Sequence, residues 1–505
     1  MTRAAGSRPW HIAMGGLAAG LGCAAAPRQL AVVALAGCCV IGFAARRPAL
    51  ALLGVGLVLA GLAVGHARLA AIDRPGARLR QDSEIHGEAI ALERPRAGPF
   101  GASLELQLRG GRASGARLLG RVPSWLTGRV EPGSILRLRG SVSRLRGRGS
   151  YPAYLRSRGV SGQLDVDRAW LTGARRGGPA GVVDAMRRRA EGAVAAGLPS
   201  AEGALLRGMV LGEDEAIEKA VRVDWRRSGL AHLLAVSGQN VMLLAALAAP
   251  LLAAAGLGLR ARAFTVLALI GLYVPVAGAG PSLQRAGVMG AAAVVATTAA
   301  RPASRTYALL LAAAITLAIN PRAAADPGWQ LSFAALVGIL AVGSPLRRLL
   351  VPPLSSLPAG RALAEGAALT LAATLATAPL LGFHFGSVSL AALPANLLAL
   401  PAVAPAMWLG MLKAAVGQAA ALGGPFGGLA DLAARALGAA ARPFLAYLEL
   451  LAERFAALRM ASVGVHAGAP PLLAAGYALL GLAVAAAVLA ARRAQYRAAE
   501  LAAGW

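Results

Sequence analysis

Four short stretches carry polar groups where the surrounding sequence is apolar. The first is Gly229-Leu-Ala-His-Leu-Leu-Ala-Val-Ser-Gly-Gln-Asn-Val241, which places His232, Ser237, Gln239 and Asn240 at the start of an apolar run. A polar side chain at membrane depth is costly unless paired or wetted, so such groups face a bundle interior or a watery cavity. On one helix, His232 and Gln239 would share a face. The plain alternative is that they join helices by hydrogen bonds. The second stretch is Gly278-Ala-Gly-Pro-Ser-Leu-Gln-Arg-Ala286. Here Gly-rich backbone and Pro281 precede Arg285, with Ser282 on the same side. Arg285 either snorkels to an interface or offers a planar fork to phosphate.

The third stretch is Asn320-Pro-Arg-Ala-Ala-Ala-Asp-Pro-Gly-Trp-Gln-Leu-Ser-Phe333. Two proline turns precede a helix that starts with Trp329, Gln330 and Ser332. A helix N-terminus presents free N–H groups and the positive dipole end, a natural place for an anion. The alternative is a capped hairpin with Trp329 anchored at the interface. The fourth is His384-Phe-Gly386, followed by Ala395-Asn-Leu-Leu-Ala-Leu-Pro401. It sets Asn396 in an apolar span with Pro401 and Pro405 ready to kink it.

Other chemistries find little support. The six histidines (His11, His66, His86, His232, His384, His466) form no cluster of metal spacing with cysteine. No Ser-His-Asp constellation and no P-loop is evident. Cys23, Cys38 and Cys39 all lie in apolar N-terminal segments, so no disulfide staples the polar region. The expectation is a protein that is not an enzyme and needs no cofactor.

The elements that must position these residues are membrane helices. Hydrophobic residues make up 57% of the chain, and mean hydropathy is +0.60. Apolar runs such as 229–256 and 471–491 exceed the ~20 residues that span ~30 Å of hydrocarbon. The predicted fold is an all-α polytopic bundle of about eleven or twelve spans with an inserted all-β domain. The predicted divisions are N-terminal helices at 1–72, with segments near 12–26, 29–45 and 48–70, and a polar domain at 73–178. Amphipathic interfacial helices follow at 179–228, then a membrane core at 229–423. The region 424–505 holds amphipathic helix, broken near Pro443, and a last span. Alternating runs at 103–108 and 134–139 read as half-buried strands of a small barrel or sandwich.

The net charge is +28, which suits anionic partners, lipid head groups or nucleic acid. Residues 73–178 hold twenty Arg against nine acids. Arg137, Arg139, Arg144, Arg146 and Arg148 precede Tyr151 and Tyr154, a pairing of phosphate-neutralising and base-stacking side chains. A solvated basic face, or one on anionic head groups, is the alternative. The positive-inside rule puts Arg3, Arg8, Arg46 and Arg47 in the cytoplasm and 73–178 outside.

The four stretches, in this order, together with Ser150-Tyr-Pro-Ala-Tyr-Leu-Arg-Ser-Arg-Gly159, resemble the ComEC family of competence membrane proteins over roughly residues 30–490. The resemblance implies an OB-fold for the polar domain and a channel admitting one strand of transforming DNA through the cytoplasmic membrane. It implies as partners a separate DNA receptor, a nuclease and a cytoplasmic motor. The family's C-terminal metallo-β-lactamase-like domain has no counterpart before Trp505. Nuclease activity is therefore not carried over; another protein supplies it, or the chain is a shorter variant or fragment. The expected path through the membrane is lined by His232, Ser237, Gln239, Asn240, Ser282, Arg285, Gln330, Ser332 and Asn396. Competing readings are a small-anion secondary transporter, a membrane enzyme using Ser237 or His232, and a non-transporting scaffold. A reporter fused after residue 175 is expected to read out outside the cytoplasm; a cytoplasmic signal overturns the topology.

Overall fold

The computed structural model describes residues 9–44, 48–80, 82–98, 101–145, 150–300, 304–354, 356, 360–420, 423, 425–458, 461–465 and 471–482. Three helices come first: α1 (Pro9–Cys23), α2 (Arg28–Ala44) and α3 (Pro48–Ala77). Six strands follow: β1 (Glu84–Ala91), β2 (Arg96–Gly98), β3 (Gly101–Arg109), β4 (Arg117–Val122), β5 (Ser134–Ser143) and β6 (Val160–Arg175), with α4 (Ser150–Ser157) before the last. Then come α5 (Gly178–Ala195), α6 (Ser200–Leu211), α7 (Lys219–Arg227), α8 (Gly238–Ala254), α9 (Leu259–Val276), α10 (Pro281–Thr298) and α11 (Arg305–Ile319). The remainder is α12 (Pro327–Leu354), α13 (Gly360–Phe385), β7 (Ser387–Ser389), α14 (Ala392–Ala420), α15 (Pro425–Ala456) and β8 (Ser462–Gly464).

Among the described residues, five helices are long and apolar enough to cross a membrane: α3, α9, α12, α13 and α14. Shorter apolar helices run over Gln29–Cys38, Gly238–Ala254, Arg305–Ile319 and Pro471–Leu482. This is a helical membrane bundle with an inserted β domain. The helix α15 differs from expectation at Pro443, where it continues unbroken. The ring fixes φ at a helical value and removes one backbone donor, and here the helix absorbs that loss.

The chain forms two compact units. The first holds the described residues of Met1–Ala216, Val236–Asp326 and Met407–Ala441; the second holds those of Ile217–Ala235, Pro327–Ala406 and Arg442–Trp505. In the first unit the β domain closes on itself. Strand β1 pairs with β3 and β5, β3 with β4, β4 with β6, and β6 with β5. Only β4–β6 is parallel among these. Period-two alternation explains the closure, since one face of each strand is apolar and needs the others. Leu104, Leu106, Leu118, Leu136 and Leu164 are all fully buried in that core. The helices of the first unit approach through small residues: a methyl group on Gly61 of α3 would lie 2.5 Å from the carbonyl oxygen of Leu17 in α1.

In the second unit α12 packs along α13. A methyl group on Gly338 would come 2.6 Å from the Ala372 carbonyl oxygen, whereas one on Gly343 would find ordinary contacts at 3.8 and 4.0 Å. Without a hydrophobic drive between helices in lipid, such close approach supplies the attraction. Gly338→Val is therefore expected to lower stability in detergent by about 1–3 kcal/mol, as overpacking does, and Gly343→Ala to leave it nearly unchanged. Equal melting temperatures for the two variants would contradict this packing.

Candidate functional site

In the first stretch, Gly229 adopts φ +83°, and a methyl group there would meet the Ala392 backbone Cα at 2.7 Å. Only glycine fits that turn. A single 3-10 turn over Ala231–Leu233 follows, and α8 begins at Gly238. His232 and Gln239 thus do not share a helical face. The reason is the cap: the Ser237 Oγ accepts from the Gln239 N–H at 3.3 Å, and the Asn240 Oδ1 accepts from the Ser237 N–H at 3.4 Å. This reciprocal arrangement stops the helix at Ser237. His232 is exposed, with Nδ1 donating to the Gly229 carbonyl at 3.1 Å. Asn240 is buried and its Nδ2 donates to the Met209 carbonyl at 2.8 Å and to the Tyr273 hydroxyl oxygen at 3.1 Å. Tyr273 donates onward to the Val210 carbonyl at 2.6 Å. Asn240 therefore joins α8 to the end of α6 and to α9.

The second stretch meets the first. A methyl group on Gly238 would lie 3.0 Å from Nη2 of Arg285. The guanidinium from α10 sits over the first turn of α8, where free N–H groups and the dipole also favour an anion. Ser282 lies one turn before Arg285 on α10, and Gln284 bonds back to the Ala279 carbonyl at 2.7 Å, bracing the loop ahead of the helix. Gln239 is half-buried beside the cap.

In the second unit, the third and fourth stretches meet each other. The His384 Nε2 lies 2.7 Å from the Gln330 Oε1, so Nε2 carries the proton and donates. Trp329 stacks on Phe333 with centroids 4.1 Å apart. Ser332 and Asn396 are half-buried on α12 and α14.

The β domain brings a different set together. A cleft of about 360 Å³ is lined by His86, Glu88, Arg137, Arg139, Arg168 and Trp170, among others. Strand register explains it: Glu88, Arg137 and Trp170 form one cross-strand row, and His86, Arg139 and Arg168 the next. Trp170 is half exposed, and the Arg137 side chain is 69% exposed. Acids temper two of the cations. Arg139 Nη2 donates to Glu84 at 3.0 Å, and Arg137 lies 4.0 Å from Glu88. The Arg139 hydrogen bond holds the Glu84 carboxyl below its ordinary value, with His86 adding to the effect. Sequence reading missed His86, Arg168 and Trp170. The signal was a polar, aromatic-tipped strand, but nothing along the chain shows that Trp170 lies opposite Arg137.

Tyr151 and Tyr154 do not line this cleft. They stack on α4 with centroids 6.5 Å apart. Tyr151 faces out, while the Tyr154 hydroxyl accepts from Arg158 at 3.1 Å. Arg158 in turn sits 3.1 Å from the buried Glu105. Burial pushes the Glu105 carboxyl up and Arg158 opposes it. For Arg158 itself burial works against the charge, but Glu105, Tyr154 and Glu93 together outweigh it and the group is raised. Arg144 is exposed at the end of β5. Arg146 and Arg148 lie outside the described residues.

The family model described as Competence protein matches residues 209–491, which is more than half of the chain. ComE operon protein 3 of Bacillus subtilis (strain 168) is 26% identical over 204 residues, covering 40% of this chain and 25% of that protein. The matched stretch thus spans a quarter of the curated relative's length. No solved structure matches. The matched residues include α8 with its Ser237 cap, Arg285 and the Gln330–His384 pair, and by that match this chain belongs to the Competence protein family.

Proposed function

We propose that this protein takes part in DNA uptake by passing single-stranded DNA across the cytoplasmic membrane, with the β domain on the outer side as its first contact. The observation that carries the reading is the cleft around Trp170. An exposed indole beside three guanidiniums suits a flexible polyanion whose bases are free to stack. Phosphate contacts give affinity without sequence choice, as uptake of arbitrary DNA requires. The closed five-strand ring with one parallel pair supports the OB-like reading, a common platform for this ligand.

Within the membrane part, Arg285 over the α8 N-terminus is the group we assign to the strand's phosphates, with Ser237, Gln239 and Ser282 beside it. A planar fork matches phosphate oxygens bidentately. Exposing phosphates to lipid would be prohibitive, so the path must be wet and cationic. His232, Gln330, Ser332 and Asn396 remain assigned to the path by their place in the family-matched region. Asn240 serves instead to hold α8 in position. Membrane lipids, a separate DNA receptor, a nuclease and a cytoplasmic motor complete the proposed partners. The Arg285 position also suits a small anion, which favours the transporter as second reading; chloride or phosphate flux in liposomes without DNA would establish it.

For the full chain in nanodiscs, Trp170→Ala is expected to weaken single-stranded DNA binding by the ~1–3 kcal/mol of one stacked base. Arg168→Ala should reduce the salt slope by ~0.7. Unchanged affinity and slope in both would remove the cleft from the reading. In a competence-deficient strain complemented with this gene, Arg285→Gln is expected to cut entry of labelled DNA at least tenfold at normal protein level, and Arg285→Lys to restore part of it. Full uptake by Arg285→Gln would exclude Arg285 from the path.

A further inference from the structure

Four charged side chains form a closed set where the β domain meets α5 and α6. Arg94 comes from the β1–β2 loop, Arg187 and Glu191 lie one turn apart on α5, and Glu213 follows α6 directly. Arg94 Nη2 donates to Glu191 Oε2 at 2.6 Å, and its Nε is 3.7 Å from Glu213 Oε1. Arg187 Nε donates to Glu191 Oε1 at 2.9 Å, and its Nη2 to Glu213 Oε1 at 3.4 Å. The Glu191 and Glu213 side chains are only 2% and 7% exposed. Both carboxyls contact the same two guanidiniums, so they crowd into one buried site. Two carboxylates that share a buried site repel each other, which favours a proton on one of them.

The set borders the entry to α10, and the residue just before Glu213 borders the entry to α8. A methyl group on Gly278, in the loop ahead of α10, would lie 3.3 Å from Arg187 Nη1. One on Gly212, which caps α6 at φ +74°, would lie 2.7 Å from Val236, next to the Ser237 cap of α8. Other charges nearby are paired elsewhere. Arg188 lies 3.6 Å from Glu131 and Arg96 lies 3.1 Å from Glu215. Arg176 holds Asp184, one bond being 2.7 Å. Glu131 and Asp214 act on Arg94 and Arg96 only as more distant charges.

We propose that Glu191 and Glu213, sharing one proton between Arg94 and Arg187, form a latch that ties the β domain to the loop ahead of α10 and releases as that proton leaves. The latch stands on this geometry. Its link to DNA entry, through α10, rests on the function proposed above. Burial, then the Glu191 carboxyl beside it, push the Glu213 carboxyl up to about 8. Burial also acts on Glu191, but Glu213 and the two guanidiniums outweigh it and hold that carboxyl below its ordinary value. In an open latch Glu213 would be solvated, with an ordinary carboxyl pKa. A group raised in the closed form favours closure most at low pH. That advantage is lost as pH rises from the ordinary carboxyl range to about 8.

The test is hydrogen exchange of residues 92–94 and 277–280 in the full chain in nanodiscs, corrected for intrinsic rates, across that pH window. Protection in the unaltered protein is expected to fall with rising pH, by at most about tenfold per unit. Glu213→Gln, which keeps a donor towards Glu191 and cannot ionise, should stay protected throughout. Glu191→Gln should lose protection at every pH. Infrared spectra supply a second readout: a protonated carboxylic carbonyl band at neutral pH, absent from Glu213→Gln. A flat profile in the unaltered protein, a wild-type pH profile in Glu213→Gln, or a missing carboxylic band would each overturn the latch. None of these measurements involves DNA, so loss of the uptake reading would leave their outcome intact.

Discussion

A polar atom surrounded by hydrocarbon must find a partner, and this constraint organises the helical part of the molecule. Asn240 reaches the Met209 carbonyl and Tyr273; the Trp408 indole reaches the Leu243 carbonyl at 3.0 Å; Lys413 reaches the Ala196 carbonyl at 2.7 Å. In the second unit Tyr477 donates to the Ala376 carbonyl at 3.1 Å and Tyr447 to the Leu398 carbonyl at 3.0 Å. Each bond joins segments far apart in sequence. Such a bond contributes only about 1 kcal/mol net, but leaving a buried donor unmet costs about 1–3 kcal/mol. The asymmetry makes these bonds selectors of which helices meet. Small residues then allow the approach, as Gly61 does against Leu17.

The same logic separates two kinds of arginine in the β domain. Arg158 is committed to Glu105 and Tyr154 inside the fold. Arg137, Arg139 and Arg168 stand on the outer face of the sheet around Trp170. Glu84 and Glu88 offset part of that charge.

Much of the architecture was legible because periodicity and apolar length are local properties. The N-terminal segments expected near 12–26, 29–45 and 48–70 are α1, α2 and α3. The alternating runs at 103–108 and 134–139 lie within β3 and β5. The motif stretches also stood out, since polar groups in apolar runs are conspicuous. Their geometry was less legible. Ser237 looked like a residue within a helix and is instead its cap, which separates His232 from Gln239. Gln330 and His384 stood in separate motifs, yet they are 2.7 Å apart.

The sequence by itself determined that this is a helical membrane protein with a basic β insertion, because burial of apolar length and strand alternation are written residue by residue. It also marked the stretches shared with the Competence protein family. Only the tertiary structure decided partners: that Trp170 stands beside Arg137, that Arg285 covers the start of α8, and that Glu191 and Glu213 share a pocket with two guanidiniums. The reason is that register and helix packing bring together residues dozens of positions apart, and no local pattern encodes which polar atom will meet which.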